Sequence, residues 1–168
     1  MMIGEFSERG MTMDIRLATA TEIPGLLALL AQVGQVHHEI RPDIFPAGTM
    51  KYDAESLEIL LADPDRPVFV AMEGDFVAGY CFCVHKSFEA GTCAVARSEL
   101  YIDDLCVDKN HRRMGIADLL YRHAVEYAKT LGCGSVTLNV WCGNDAAMDF
   151  YLHHGMKPRN IMMETRLC

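Results

Sequence analysis

Residues 101–117 read YIDDLCVDKNHRRMGIA, and the rest of the chain is arranged around them. The first seven are apolar and β-prone apart from Asp103 and Asp104, which predicts a strand. Residues 108–111 are polar and turn-like, and from Gly115 the spacing predicts a helix to about residue 131. A strand that feeds a helix through a short loop makes an anion site. The first helical N–H groups lack intrahelical partners, and the helix dipole adds partial positive charge. Gly115 removes a side chain where a phosphate would approach. Ala117 is nearly as small, and Arg112 and Arg113 add formal charge. The longer phosphate loops are absent: there is neither Gly-x-x-x-x-Gly-Lys-Ser/Thr nor Gly-x-Gly-x-x-Gly.

Outward from this stretch, strands are predicted over residues 13–18, 68–72, 76–84, 99–107, 136–140 and 161–167. Residues 73–75 turn a hairpin. Helices are predicted from Thr21 to about residue 40, over 53–61, over 115–131 and over 144–155. Thr21 is placed as a cap with Pro24 in the first turn. Gly132 and Gly134 stop the third helix. Residues 41–49, RPDIFPAGT, form a loop with two prolines and a glycine. The order β α α β β β α β α β predicts an α/β layer fold, a mixed central sheet flanked by helices, with ligands gathered at carboxyl ends of strands.

A length of 168 residues suits one domain, read as 13–168, with residues 1–12 as a leader or disordered tail. Hydrophobic residues at 51% and charged residues at 23% match a soluble globular protein. The net charge of −8 argues against a nucleic-acid partner and is compatible with a cationic one. No apolar run is long enough to span a membrane, and no secretory signal opens the chain. Seven cysteines, an odd number without a Cys-x-x-Cys pair, point to a reduced, cytoplasmic setting. Each reads as a small buried apolar residue.

Arg112, Gly115 and Ala117 stand in the spacing Arg-x-x-Gly-x-Ala. Downstream, residues 144–156 read NDAAMDFYLHHGM, with Asn144, Ala147, Phe150, Tyr151 and Gly155 in the spacing Asn-x-x-Ala-x-x-Phe-Tyr-x-x-x-Gly. In this order and at this separation, the two segments resemble the pyrophosphate loop and the later Asn–Tyr segment of the GCN5-related N-acetyltransferases, the GNAT family. Met156 stands where the family usually has Phe, and Ala146 where it often has Pro; neither touches a polar group. The resemblance is sharp over residues 101–155 and weaker from residue 13 to the C-terminus.

The resemblance implies the GNAT acyl-CoA N-acyltransferase fold and transfer of acetyl from acetyl-CoA to a primary amine by direct attack on the thioester. It implies that Arg112, Arg113, Met114, Gly115, Ile116, Ala117 and Asp118 hold the coenzyme A pyrophosphate. It implies that Leu105, Cys106 and Val107 pair their backbone with the pantetheine arm, as an added strand pairs with an edge. An N–H near Cys106 or Val107 would polarise the thioester oxygen. Tyr151 falls at the family's general-acid position. Asn144 would bond the pantetheine or hold its loop, and is also a fitting helix N-cap. No metal is implied.

The acceptor amine, with a pKa of roughly 10, arrives protonated. Glu99, Asp103 and Asp104 are the carboxylates that could take its proton, directly or through water. In a regular strand Glu99, Tyr101 and Asp103 share a face and Asp104 faces away, unless a bulge intervenes. Asp103 is the first choice, because polyamine-acetylating members of the family carry an acid there; a salt-bridged role for it stays open. His37, His38 and Glu39 are candidates to line the acceptor cleft, and Trp141 to wall it. His153 and His154 favour the end of their helix. The expected acceptor is a small-molecule amine, with no nucleic-acid or membrane partner and a homodimer left open. A protein lysine or N-terminal acetyltransferase and a non-catalytic sensor of coenzyme A or an amino acid are the alternatives.

Overall fold

The structure is a computed structural model that describes residues 13–167. The expected leader over residues 1–12 lies outside the described residues.

The elements are β1 (Asp14–Leu17), a 3₁₀ turn (Ala20–Glu22), α1 (Ile23–Ile40), α2 (Ala54–Leu61), β2 (Val68–Glu73), β3 (Phe76–Phe88), β4 (Arg97–Val107), α3 (Ile116–Thr130), β5 (Ser135–Leu138) and α4 (Asp145–His153). They form one five-stranded sheet in the order β1-β2-β3-β4-β5. The first four strands run antiparallel, and β5 joins β4 in parallel. The fold is thus α/β with a mixed sheet, as the alternation of patterns predicted.

Each face of the sheet is covered, which is why β2 reads VFVAME with five buried residues in a row. Alternate side chains go to opposite sides. Phe69 and Ala71 of β2 join Cys81, Cys83, Leu100 and Ile102 under α3, whose Ile116, Leu120, Tyr121, Ala124 and Ala128 form the buried stripe. Val68, Val70, Tyr80 and Phe82 face Leu26, Leu29 and Leu30 of α1 and Leu57 and Leu60 of α2. Helix α4 adds Phe150 and Tyr151 to the α3 side.

Three expectations change. The first helix is preceded by the 3₁₀ turn, capped by Thr19 rather than Thr21, with Glu22 reaching back to the Thr19 N–H (2.7 Å). β3 and β4 run past the bounds expected at residues 84 and 99, pairing as far as Phe88 with Arg97. Residues 161–167 form no strand. Their apolar side chains Ile161, Met162, Met163 and Leu167 are exposed, and Arg166 and Glu164 turn to Asp43 and Arg41 instead. β-branched and apolar composition alone does not make a strand; a strand needs a neighbour to pair with.

Gly79 decides how closely α3 sits over the sheet. A Cβ there would lie 2.9 Å from the Cys106 carbonyl, 3.1 Å from Leu120 and 3.2 Å from Ile116. Gly79→Val should therefore destabilise the fold by about 1–3 kcal/mol through overpacking. Scanning calorimetry should show the melting temperature falling by several degrees; an unchanged melting temperature would show that the α3 N-terminus does not press on β3.

Candidate active site

The site begins where β4 loses a neighbour. Its pairing with β5 runs from Glu99↔Ser135 to Ile102↔Leu138, whereas β4 itself continues to Val107. On the other side β3 stays paired through Gly79↔Val107. Residues 103–107 thus have one sheet neighbour, and their outer backbone edge opens on the β5 side. Leu105 and Val107 are half-buried against the α3 side, and Cys106 is buried toward α1. Burial pushes the Cys106 thiol up to about 12, so it stays protonated and donates to the Leu29 carbonyl at 3.7 Å.

Beyond β4 the chain enters the arginine loop. Arg112 donates from Nε to the Val107 carbonyl at 3.3 Å. Arg113 has φ +65 and Gly115 φ +80, two left-handed residues that curl the backbone before α3 starts. At Gly115 no atom lies within 4 Å of an added Cβ, so open space and not crowding surrounds this position. The conformation is what calls for glycine there. The first intrahelical bond runs from Leu119 N–H to Gly115 O, which leaves the amides of Ile116, Ala117 and Asp118 pointing outward. These residues, with Val107, His111, Arg112, Arg113 and Phe150, line a recess of roughly 260 Å³. Met114 is exposed beside it. Asp118, which also lines the recess, pairs its carboxylate with Arg122 (2.9 Å) and His154 (3.3 Å).

Helix α4 closes the other wall. Asn144 caps it, accepting from the Ala147 N–H at 3.2 Å. Tyr151 lies behind it with its ring 6.0 Å from Tyr121. Burial, then the nearby Cys81 and Asp104, hold its phenol well above the usual range, so it stays protonated. His154 packs on Tyr121 and Phe150, and its approach to Asp118 ties α4 to α3.

The acidic residues are placed by a bulge. Cys83 pairs with Ile102 and Phe82 with Asp104, which leaves Asp103 as an extra residue on β4. The alternation flips there: Leu100 and Ile102 face α3 before the bulge, Leu105 and Val107 after it. Asp104 therefore does not face away from Asp103, as a regular strand would require. Both carboxylates reach residues on the α1–α2 side. Asp103 accepts from Lys51 Nζ at 2.6 Å and from the Tyr52 hydroxyl at 3.1 Å. Asp104 accepts from the Tyr80 hydroxyl at 2.8 Å, and burial raises its pKa, partly offset by that bond. Glu99 is buried and held by Arg159 at 2.7 Å.

The loop between α1 and α2 forms the outer wall. Phe45 packs against His37 and edge-on to Trp141, and its carbonyl meets His38 Nδ1 at 2.8 Å. Glu39 turns to Gln35, away from this cluster. His153 sets its ring edge-on to His154. Sequence reasoning missed Lys51, Tyr52, Tyr80 and His111. The first three reach the acids from other elements, with no local pattern that signals it; His111, three residues after Asp108, carried a faint signal as an i,i+3 pair. Among the described residues no group of three or more His, Cys, Asp or Glu is arranged to hold a metal, and no helix is long and apolar enough to cross a membrane.

Comparison with known proteins bears on what this cleft is. Over 136 residues the chain is 29% identical to the L-ornithine N5-acetyltransferase NATA1 of Arabidopsis thaliana, which covers 79% of this chain and 54% of that protein. The chain thus spans about half that relative's length. A mutant of the BH1408 protein from Bacillus halodurans has the same fold at TM-score 0.88, with 26% identity over 92% of this chain and 99% of that chain. The aminoglycoside acetyltransferase meta-AAC0020 from an uncultured soil metagenomic sample shares the fold at TM-score 0.68, with 21% identity over 93% of this chain and 97% of that one. The model of the Acetyltransferase (GNAT) family matches residues 32–156, a span that holds the arginine loop, the bulged acids and Tyr151 alike; the chain belongs to that family.

Proposed function

We propose that the protein transfers the acetyl group of acetyl-CoA to a primary amine of a small cationic molecule, by direct attack of the amine on the thioester. The observation that carries this reading is the juxtaposition of two features. The free edge of residues 103–107 runs straight into a loop whose amides and arginines suit a pyrophosphate. An extended arm ending in phosphates has the shape for both at once. Residues 112–118 would hold the phosphates and Leu105–Val107 the arm, with Asn144 beside it.

Acetyl-CoA supplies an activated acetyl group. The chain's task is to hold it beside an amine and to move two protons. Asp103 already carries an ammonium, that of Lys51. A part-exposed ion pair of this kind contributes on the order of 1 kcal/mol or less, so an incoming ammonium can replace it. Asp103 then takes a proton from that ammonium and passes it to solvent. As the C–N bond forms and the C–S bond breaks, Tyr151 protonates the departing sulfur, and the second proton, shed by the nitrogen as it becomes the amide, restores the Tyr151 hydroxyl. The buried thiols Cys81 and Cys106 are held in their protonated form and offer no nucleophile for an acyl-enzyme, which favours direct attack. A cationic acceptor agrees with the net charge and with the cluster of acids, and the ornithine-acetylating relative acts on such an amine. A panel of diamines, amino acids, aminoglycosides and lysine peptides, read by thiol release, tests the reading. Transfer to peptides alone would favour a protein acceptor, and coenzyme A binding without any transfer would favour a sensor.

Three variants test the parts. Gly115→Glu sets a carboxylate beside the amides of α3 and should reduce coenzyme A affinity by at least tenfold in calorimetry, given repulsion and a strained left-handed backbone. Unchanged affinity would remove the loop from the site. Asp103→Asn should lower turnover mainly below the pKa of the amine, so that the pH–rate profile steepens toward alkaline pH. An identical profile would pass the role to Asp104, Glu99 or water. Tyr151→Phe keeps the ring and its packing. It should cut turnover roughly a hundredfold with any acceptor while leaving coenzyme A affinity and melting temperature near wild type; full activity would show that Tyr151 is not the acid.

A further inference from the structure

The first half of the phosphate loop is held by His111, which lies between carboxylates from two different elements. Its Nδ1 is 2.8 Å from Asp108 Oδ1, and its Nε2 is 3.1 Å from Glu73 Oε2. Glu73 ends β2, and Asp108 directly follows β4. Phe76 of β3 stacks on the ring, with centroids 5.0 Å apart. Asp108 is itself fixed. It is buried, it accepts from Gln32 Nε2 of α1 (2.8 Å) and from the Asn110 N–H (2.9 Å), and its own N–H donates to the Ala78 carbonyl. Gln32 returns an acceptor to the Lys109 N–H at 3.0 Å.

Both ring nitrogens meet carboxylate oxygens, so neither neutral tautomer satisfies both contacts. A neutral imidazole has one N–H and would leave its other nitrogen lone pair against a carboxylate. Only the imidazolium donates at both ends. The charged groups facing the ring from packed elements are Glu73 and Asp108. Gln32 and Phe76 are neutral, and Lys109, Arg112 and Arg113 lie on its own loop.

We propose that protonated His111 is a positioning residue for coenzyme A: by bridging Asp108 and Glu73 it fixes the backbone from which Arg112 and the α3 amides reach the phosphates, so cofactor affinity is linked to its proton. This rests on the reading of residues 112–118 as the pyrophosphate site. The Asp108 carboxylate first, then Glu73, raises the histidine pKa above its ordinary value. A raised pKa means that the bridge is complete at low pH and is lost as pH rises through that value. Coenzyme affinity should fall in the same direction.

The 3′-phosphate of coenzyme A titrates with the opposite effect, so the ligand for the test is 3′-dephospho-coenzyme A. Calorimetry on the full chain from about pH 5.5 to 9 should show its affinity dropping roughly three- to tenfold through the histidine pKa. His111→Gln should bind weakly at every pH without that step. Glu73→Gln, a part-exposed position outside the recess, keeps the histidine and should move the midpoint toward acid. NMR titration of the His111 ring in the free protein should show the same acid shift. Binding that is flat with pH in wild type, or a midpoint unmoved by Glu73→Gln, overturns the linkage and leaves the phosphate loop standing. Failure to bind dephospho-coenzyme A at any pH overturns both.

Discussion

The site depends on one constraint: β4 is a central strand for half its length and an edge strand for the rest. As far as Ile102 it hydrogen-bonds on both sides, and beyond it only β3 remains. An exposed edge is usually a liability, because its free N–H and C=O groups invite pairing. Here the open stretch is short, and its side chains pack under helices on both faces. What is left is backbone without a sheet partner on the β5 side.

The bulge at Asp103 sits at the same point along β4. One extra residue there reverses the alternation of everything after it. Without it, Asp103 and Asp104 would look to opposite faces and Leu105 would turn away from α3. With it, both acids reach residues of the α1–α2 side, while Leu105 and Val107 stay anchored on the α3 side. A single irregularity thus sets the acidic corner and the register of the edge that leads into the arginine loop.

Polar contacts then join segments far apart in the chain. Lys51 and Tyr52 reach across to Asp103, Tyr80 to Asp104, and Gln32 to Asp108. His111 joins the same frame through Glu73. Each is a hydrogen bond to a carboxylate, stronger than one between neutral groups. Their common effect is to hold β4 and the loop after it in one geometry from three directions.

The sequence by itself determined the family, most of the element types and the two segments that flank the cleft. These rest on local signals: a helix shows in its period, a turn in its glycines, and the loop in the spacing of Arg112, Gly115 and Ala117. It also placed Asn144 as a cap, which the structure bears out. Tertiary structure alone decided the rest. Residues 161–167 look like a strand, yet pairing is a property of two segments, and none of the described segments pairs with them. The direction of Asp104 depended on a bulge that appears only when β3 is laid beside β4. Lys51 and Glu73 give no local sign of their partners, because sequence spacing carries no information about which distant carboxylate or ring a side chain will meet.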